Sequence, residues 1–206
     1  MVQKLIGRLV AVAVEYDVIE KDQGPIVEYG LLAGFYNLAG MAGIVLVGFL
    51  LGIPKLAFAG GAAAASFRFV SGGAHFESPI LCFIYSVGSV ALISLGAYHM
   101  GHWLHSAPSS LTLVMLLWLL VIGLRVVSRN VPVDSPKRPI VNNAERKMFK
   151  QMSLCFTFCM ACFFALSTLL WHNWSLGLTL WFVFFWQLFS LTKVGSKVYK
   201  RIEGVF

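Results

Sequence analysis

Two side chains in this sequence could together perform nucleophilic chemistry, and they lie seven positions apart. Cys82 carries a thiol, and its ionised form is a strong nucleophile. His75 carries an imidazole, which can take a proton near neutral pH and return it to a leaving group. Because such a pair also recurs by chance, the alternative is a packed cysteine beside an interfacial histidine.

The residues between the two side chains argue against one continuous helix. Such a helix would separate them by about 10 Å, which is too far for a hydrogen bond. Gly72 and Gly73 destabilise a helix before His75, and Pro79 interrupts one after it. The thiol and the imidazole can therefore meet only if the chain is broken between them.

The same stretch predicts where the next helix begins. Ser78 is a favoured N-cap, and Pro79 is a favoured first helical residue. Cys82 would then lie in the first turn or just beyond, where the helix dipole favours the thiolate. The flexible double glycine could fold His75 back to within about 3 Å of the thiol. It could also let a substrate backbone approach closely.

Two charged residues accompany this pair beside apolar segments, where ionisable groups are costly and suggest a function. Arg68 could hold a peptide carbonyl or carboxylate, or it could extend to a lipid phosphate. Glu77 could orient His75 as a third member of the site, or it could be a solvated loop charge. The residues alone leave both choices open.

The composition predicts that these residues belong to a membrane protein. Of 206 residues, 58% are hydrophobic and 12% are charged, whereas a soluble domain has about 25% charged residues. The net charge of +7 comes from basic residues in short stretches between apolar runs. That placement indicates membrane orientation and not nucleic-acid binding. We see neither a disulfide framework nor the features of a signal peptide.

The apolar runs predict an all-α, polytopic integral membrane helix bundle with about six membrane segments. Three runs can cross a bilayer core of about 30 Å, and three are shorter, at about 14–16 residues. An amphipathic helix over residues 1–20 precedes them and lies on the membrane surface or packs on the bundle. The six runs are Tyr29–Leu51, Ile53–Phe67, Ile80–His99, Leu111–Leu124, Met152–Trp171 and Leu176–Leu191.

Basic residues also predict the orientation of the chain. The loop 126–151 and the tail 193–206 are rich in Lys and Arg, so both are expected in the cytoplasm. Counting spans backwards places residues 68–79 and the amino terminus on the same side. We expect one domain over residues 1–206, with residues 1–28 as its amphipathic amino-terminal segment.

Two other groups of potential metal ligands share helical spacing. The cysteines could bind a soft metal but are better explained as small packing residues within the membrane. The histidines could approach a zinc site, but no nearby acid or cysteine completes it. We therefore expect neither a metal nor a cofactor. The groups are Cys155, Cys159 and Cys162, and His99, His102 and His105.

Nearly the whole chain resembles the accessory gene regulator B family, AgrB, of bacterial membrane peptidases. The likeness rests on Arg68, on the run Gly72-Gly73-Ala74-His75 and on Cys82 at the start of an apolar helix. It extends to the six apolar runs, the amphipathic start, the length near 200 residues and the run Lys137-Arg138-Pro139-Ile140 in the basic loop.

The resemblance implies an enzyme that processes the propeptide of a cyclic quorum-sensing signal. Cys82 would be the nucleophile and His75 its base, and Arg68 and Gly73 would match further important positions. The substrate would have an amphipathic leader, a central Cys or Ser and an acidic carboxyl-terminal tail. The enzyme would remove the tail through an acyl-thioester and close the remainder into a thiolactone or lactone. The resemblance also implies a homodimer in the cell membrane.

The basic loop residues Arg146, Lys147 and Lys150 have two interpretations. They could serve only as an orientation signal, or they could also attract an acidic substrate tail. The alternative to a peptidase is a non-enzymatic membrane protein, either a small transporter or a partner-binding scaffold. A transporter should show paired half-chains and charges within its spans, and the sequence shows neither.

Overall fold

The computed structural model of this chain describes residues 2–74, 76, 78–133 and 142–204. Over these ranges the chain forms eight α-helices and one π-helical turn, without any strand. The all-α prediction is therefore confirmed. The helices are α1 (Val2–Glu15), α2 (Gly24–Leu50), α3 (Pro54–Ser71), α4 (Pro79–Trp103), α5 (Ser109–Asn130), α6 (Asn143–Ala165), α7 (Trp174–Ser190) and α8 (Lys193–Glu203), and the π-helical turn is Leu166–Leu170.

The chain divides into two compact units, Met1–Ala42 and Gly43–Phe206. In the first unit, α1 buries Ile6 and Val10 and packs through Val10 against Gly24 at the start of α2. This confirms a helix within residues 1–20. A second apolar strip of α1 stays exposed, and its contact with lipid remains a prediction. That strip is Leu5, Leu9 and Val12.

The second unit is a helix bundle centred on α7. This helix packs against α3, α4, α5 and α6. Its Phe184 is almost completely buried, and the ring of Phe67 from α3 lies 5.0 Å from it. Gly60 allows α3 to approach α7 so closely that an added Cβ would lie 3.1 Å from Thr179. Small residues at helix contacts are typical of membrane bundles, because packing drives their association.

Four helical segments in the described ranges are long and apolar enough to cross a membrane: α2, α4, α5 and Asn143–Leu170. A fifth crossing results if α7 and α8, which meet at a bend of 82°, form one broken span. The prediction of about six membrane segments is thus too high, although every predicted run forms a helix.

The two remaining runs fall short for different reasons. Helix α3 is rich in Ala and Gly and carries Lys55 and Arg68. It packs against α4, α6 and α7, so neighbouring helices cover much of its surface. Helix α7 has 17 residues, or about 26 Å, which is less than the ~30 Å of a bilayer core.

The outer surface of the bundle is apolar, as a membrane protein requires. Leu46 of α2, Ile84 of α4 and Leu117 of α5 are 62%, 61% and 61% exposed. Water would not tolerate so many neighbouring apolar side chains on a monomer surface. Together with the apolar helices, this surface defines a multi-pass membrane protein.

The bundle has two ends, which α4 connects over its 25 residues, or about 37 Å. At the end that we call the loop end, Val133 donates its N–H to Ser71 O at 3.1 Å, and Ala74 donates to Ser190 O at 3.1 Å. At the distal end, Ser175 Oγ donates to Tyr98 O at 3.3 Å. The segment after α3, the start of the basic loop and the end of α7 therefore share the loop end. That this end faces the cytoplasm remains a prediction.

Candidate active site

Cys82 lies in α4 directly after its first turn. Ser78 is the N-cap, its Oγ accepts a hydrogen bond from Leu81 N–H at 3.4 Å, and Pro79 is the first helical residue. The Cys82 N–H donates to Ser78 O at 3.0 Å. The predicted helix start is thus confirmed. It places a half-buried thiol near the positive end of a helix dipole.

The double glycine follows directly on the end of α3 at Ser71. Gly72 has φ +72° and Gly73 has φ +140°, and L side chains rarely adopt such values. A Cβ on Gly72 would lie 2.6 Å from Val133 O, and one on Gly73 would lie 2.8 Å from Ser190 Oγ. The predicted break between the helices is confirmed. However, the groups that approach these glycines closely are Val133 O and Ser190 Oγ of the same chain.

Arg68 holds the segment that the glycines introduce. Its guanidinium is half-buried, and Nη2 donates a hydrogen bond to Ala74 O. The N–H of Ala74 donates to Ser190 O, so both backbone polar groups of Ala74 are hydrogen-bonded. This partner is a carbonyl of the same chain, so whether Arg68 also holds a substrate group or a lipid phosphate remains a prediction.

His75 and Glu77 lie outside the described residues. Their predicted roles as base and as orienting acid therefore remain predictions. The structure does describe their neighbours Ala74, Phe76 and Ser78, and each of these contacts residues of α7 or α8. The chain neighbours of the predicted base are thus held by α7 and α8.

Helices α7 and α8 meet at a sharp bend, which we call the α7–α8 corner (residues 190–195). The Thr192 side chain caps α8 by accepting a hydrogen bond from Gly195 N–H at 3.0 Å. A Cβ on Gly195 would overlap the carbonyl of Phe189, so the tight bend requires glycine at this position. The bend of 82° brings α8 against Phe76 and Ser78.

Three aromatic rings join α8 and α4 to the segment between α3 and α4. The ring of Phe76 lies 4.8 Å from Tyr199 and 5.1 Å from Tyr85, and these two tyrosines lie 5.1 Å apart. Phe76 and Tyr199 are 6% and 4% exposed. Because aromatic clusters bury much area with few rotatable bonds, this contact fixes Phe76 firmly.

The electrostatics of Tyr199 place it near both Arg68 and Cys82. Burial raises the pKa of Tyr199 to about 12, the Arg68 guanidinium opposes this rise, and the Tyr85 and Cys82 side chains add to it. The Tyr199 hydroxyl is therefore neutral at physiological pH and can donate a hydrogen bond. The pattern also shows that three polar groups, a guanidinium, a phenol and a thiol, share one region of the structure.

The far end of α8 contacts the start of the cysteine helix. Glu203 accepts a hydrogen bond from Ser78 N–H at 3.3 Å. In a capping box, a Glu at the third helical position performs this task. Here the carboxylate comes from a position 125 residues further along the chain. Helix α8 thus completes the amino-terminal cap of α4.

The predicted basic residues lie in the first two turns of α6. Lys147 is exposed, and Arg146 and Lys150 are half-buried. About two turns further along α6, the ring of Phe156 lies 5.3 Å from Phe67, the residue before Arg68. The basic residues are thus at the loop end. The run 137–140, which contributed to the resemblance, lies outside the described residues.

The other potential ligands do not converge. In the described ranges, no group of three His, Cys, Asp or Glu residues could hold a metal ion. The cysteines of α6 are exposed on the outer surface of the helix, whereas the sequence predicted packing residues. The exposed cysteines are Cys155, Cys159 and Cys162.

Sequence reasoning missed the residues that hold the segment from the α7–α8 side. One local signal was present: Thr192 and Gly195 form a cap and a tight turn just before a basic amphipathic tail. Nothing local indicated which segment that tail would contact. The missed residues are Phe76, Tyr85, Ser190, Tyr199 and Glu203.

The fold and this site define a multi-pass membrane protein with a half-buried cysteine at the start of a span, beside an anchored glycine-rich segment. The family model for Accessory gene regulator B matches residues 4–191. The chain therefore belongs to the AgrB family, which is involved in processing the accessory gene regulator autoinducer. The match ends at the α7–α8 corner, before α8.

Two curated relatives cover almost the full chain. "Putative AgrB-like protein 2" of Clostridium perfringens (strain 13 / Type A) is 27% identical over 98% of this chain and 95% of its own. "Putative AgrB-like protein" of Clostridium perfringens (strain SM101 / Type A) is 27% identical over 98% and 94%. No solved structure matches this chain.

Proposed function

We propose that this protein is a membrane cysteine endopeptidase that removes the carboxyl-terminal tail of a small signal propeptide and cyclises the remainder. The observation that carries the proposal is the Cys82 thiol at the amino end of α4, together with the contacts that hold Ala74 and Phe76, the two chain neighbours of His75. Membership in the AgrB family supports it. We further propose one peptidase domain in the cell membrane, acting as a homodimer with both termini in the cytoplasm.

In the first step, the Cys82 sulfur attacks the carbonyl carbon of the scissile peptide bond. His75 takes the thiol proton, and the carbonyl oxygen becomes an oxyanion. When the C–N bond breaks, the imidazolium gives this proton to the departing amine. The tail leaves with a new amino terminus, and the rest of the propeptide stays on Cys82 as a thioester.

The start of α4 offers a donor for the oxyanion. Of the first amides in a helix, which lack intrahelical partners, Pro79 has no N–H, and Ser78 and Leu81 are bound to side chains. Ile80 N–H is left. Because a helical Cβ tilts toward the amino terminus, the Cys82 side chain is directed toward this turn. We assign Ile80 N–H as the oxyanion donor.

In the second step, a thiol or hydroxyl within the bound propeptide attacks the thioester. His75 accepts its proton, a new C–S or C–O bond forms, and Cys82 leaves as a thiolate. Transfer to a thiol changes bond energy little, whereas water would discharge the thioester irreversibly. The site must therefore exclude water and present the internal nucleophile. The result is a thiolactone or a lactone.

The basic residues Arg146, Lys147 and Lys150 have a second role in this proposal. They lie at the loop end, with Lys147 fully accessible. Clustered positive charge raises the local concentration of a negatively charged ligand. We propose that they attract the acidic tail of the propeptide toward Cys82.

Co-expression with a short propeptide that has an amphipathic leader, a central Cys or Ser and an acidic carboxyl-terminal tail tests the proposed chemistry. We expect Cys82→Ala and His75→Ala to abolish tail release, because each removes a group that takes part in bond breaking. The matched control is Cys159→Ala, which removes an exposed thiol of α6 and should cleave normally. Glu77→Gln in the same assay separates an orienting acid from a solvated charge.

Membrane insertion of each variant is measured in parallel. Full tail release by inserted Cys82→Ala protein would remove the peptidase proposal.

A further inference from the structure

We propose that the α7–α8 corner and α8 act as a clasp, with Tyr199 and Glu203 as positioning residues. The clasp positions the residues between α3 and the start of α4, which we call the catalytic segment and of which Ala74, Phe76 and Ser78 contact the clasp. The inference rests on the proposed function and extends it. It concerns a helix that lies beyond the match to the AgrB family model, which ends at residue 191. The clasp is defined by Ser190, Gly195, Tyr199 and Glu203.

The clasp contacts the catalytic segment at three successive described residues. Ser190 O accepts a hydrogen bond from Ala74 N–H, Tyr199 packs on Phe76, and Glu203 accepts from Ser78 N–H. Each contact joins residues that are more than 110 positions apart. Three contacts in sequence order along a short segment define both its position and its direction relative to the clasp, whereas a single contact would show only that the two are close.

Two of these contacts are made by the residues directly before and after the proposed base in the chain. His75 is bonded directly to Ala74 and Phe76, so whatever fixes these two residues limits where its backbone can lie. Arg68, which lies six residues before Ala74 in the chain, donates a hydrogen bond to the Ala74 carbonyl. Without α8, Phe76 would lose the Tyr199 ring and keep only Tyr85 among its ring contacts. In this proposal Tyr199 acts on the base through Phe76, the described residue that follows it in the chain.

The clasp also reaches the nucleophile side of the site. Ser78 is the N-cap of α4, and the Cys82 N–H donates to its carbonyl. Tyr85, one turn beyond Cys82, packs edge-on against the ring of Tyr199. One helix thus holds both the segment that bears the base and the helix that bears the thiol. A shift of about 1 Å between such groups can cost 100-fold in rate.

The bend that directs α8 to the site depends on one glycine. An alanine at Gly195 would overlap backbone atoms of Phe189 and would turn α8 away. Gly204, at the other end of α8, offers a matched control. Its φ is −73°, and an added Cβ would meet only Lys200 O at 3.5 Å and Arg201 O at 3.8 Å, which are ordinary contacts.

The test measures tail release by the full-length protein in membranes, with kcat and KM determined separately. We expect Gly195→Ala, Tyr199→Ala and Glu203→Ala to lower kcat by about 10- to 100-fold with little change in KM, because geometry and not substrate binding is disturbed. Tyr199→Phe keeps the ring and should recover most of the rate. Gly204→Ala should behave as the unchanged protein.

The outcomes separate this inference from the proposed function. If Cys82→Ala is inactive while Tyr199→Ala and Glu203→Ala keep kcat within twofold, the clasp is wrong and the peptidase stands. If Cys82→Ala cleaves normally, both proposals fall. Because Glu203 is partly exposed, its replacement leaves the core intact, so it tests the clasp even if Gly195→Ala does not fold.

Discussion

The two ends of α4 carry similar chemical groups, but other elements hold them very differently. At the loop end, Cys82 follows a cap that Glu203 of α8 completes, beside a segment bound by Arg68. At the distal end, His99 and His102 are exposed and contact the ring of Tyr98 edge to face, with ring distances of 5.4 and 4.9 Å. Both ends have ionisable side chains next to a span. At the loop end, the described hydrogen bonds come from α3, α7 and α8 and hold the backbone on both sides of position 75 and the cap of α4.

The distal end also has a small cavity, which we compare with the surroundings of Cys82 at the loop end. It measures about 100 Å³ and is lined by His105, His172 and the buried Thr112, among others. Both imidazoles are exposed, and a cavity of this size holds only a few water molecules. Imidazoles at a membrane boundary are common and do not define a site. What distinguishes the loop end is that tertiary contacts hold the backbone of Ala74 and Ser78.

The largest effect is expected from Gly73→Ala, which should break the loop end. The backbone there has φ +140°, and a Cβ would press on Ser190 Oγ. We expect tail release to fall by about 100-fold or more, because the segment before position 75 must move. Gly88→Ala is the control, since a Cβ there meets nothing within 4 Å. Equal rates for the two variants would contradict the account.

Arg68→Ala should have the next largest effect. It removes a charge-assisted hydrogen bond to Ala74 O, and such bonds contribute about 1.5–3 kcal/mol. We expect kcat to fall by about 10- to 100-fold, measured as the initial rate of tail release at saturating propeptide. The distal counterpart is His102→Ala, which should stay within twofold of the unchanged protein. A tenfold loss in His102→Ala would end the contrast between the two ends.

The smallest effect is expected from reversing charge at the loop end. Replacing Arg146, Lys147 and Lys150 by Glu should raise KM by about 3- to 10-fold and leave kcat unchanged, because the effect is long-range attraction. The rise should shrink as the salt concentration increases. A KM that is unchanged in properly inserted protein would leave these residues as orientation signals alone.

Local sequence patterns were enough to predict the start of the cysteine helix. Ser78 and Pro79 occupy the N-cap and first positions because their preferences are set by neighbouring backbone. The number of spans was not predictable in this way. The prediction counted every apolar run, including two short ones that form α3, which is rich in Ala and Gly, and α7, which has 17 residues.

The clasp was beyond sequence reasoning for a different reason. The hydrogen bond from Ser78 N–H to Glu203 spans 125 positions, and neither residue has a local pattern that names the other. Tyr199 stands among basic residues of an amphipathic tail, where a surface position was the natural expectation. Only the bend at Gly195 converts that tail into part of the site.

Mass spectrometry of the enzyme after brief exposure to propeptide tests the central claim most directly. The account predicts that the tryptic peptide with Cys82 gains the mass of the propeptide without its tail, and that hydroxylamine removes this adduct as it removes any thioester. The adduct should be absent from peptides with Cys155 or Cys159. Tail release without a hydroxylamine-sensitive adduct on Cys82, under conditions that trap the intermediate, would contradict the account.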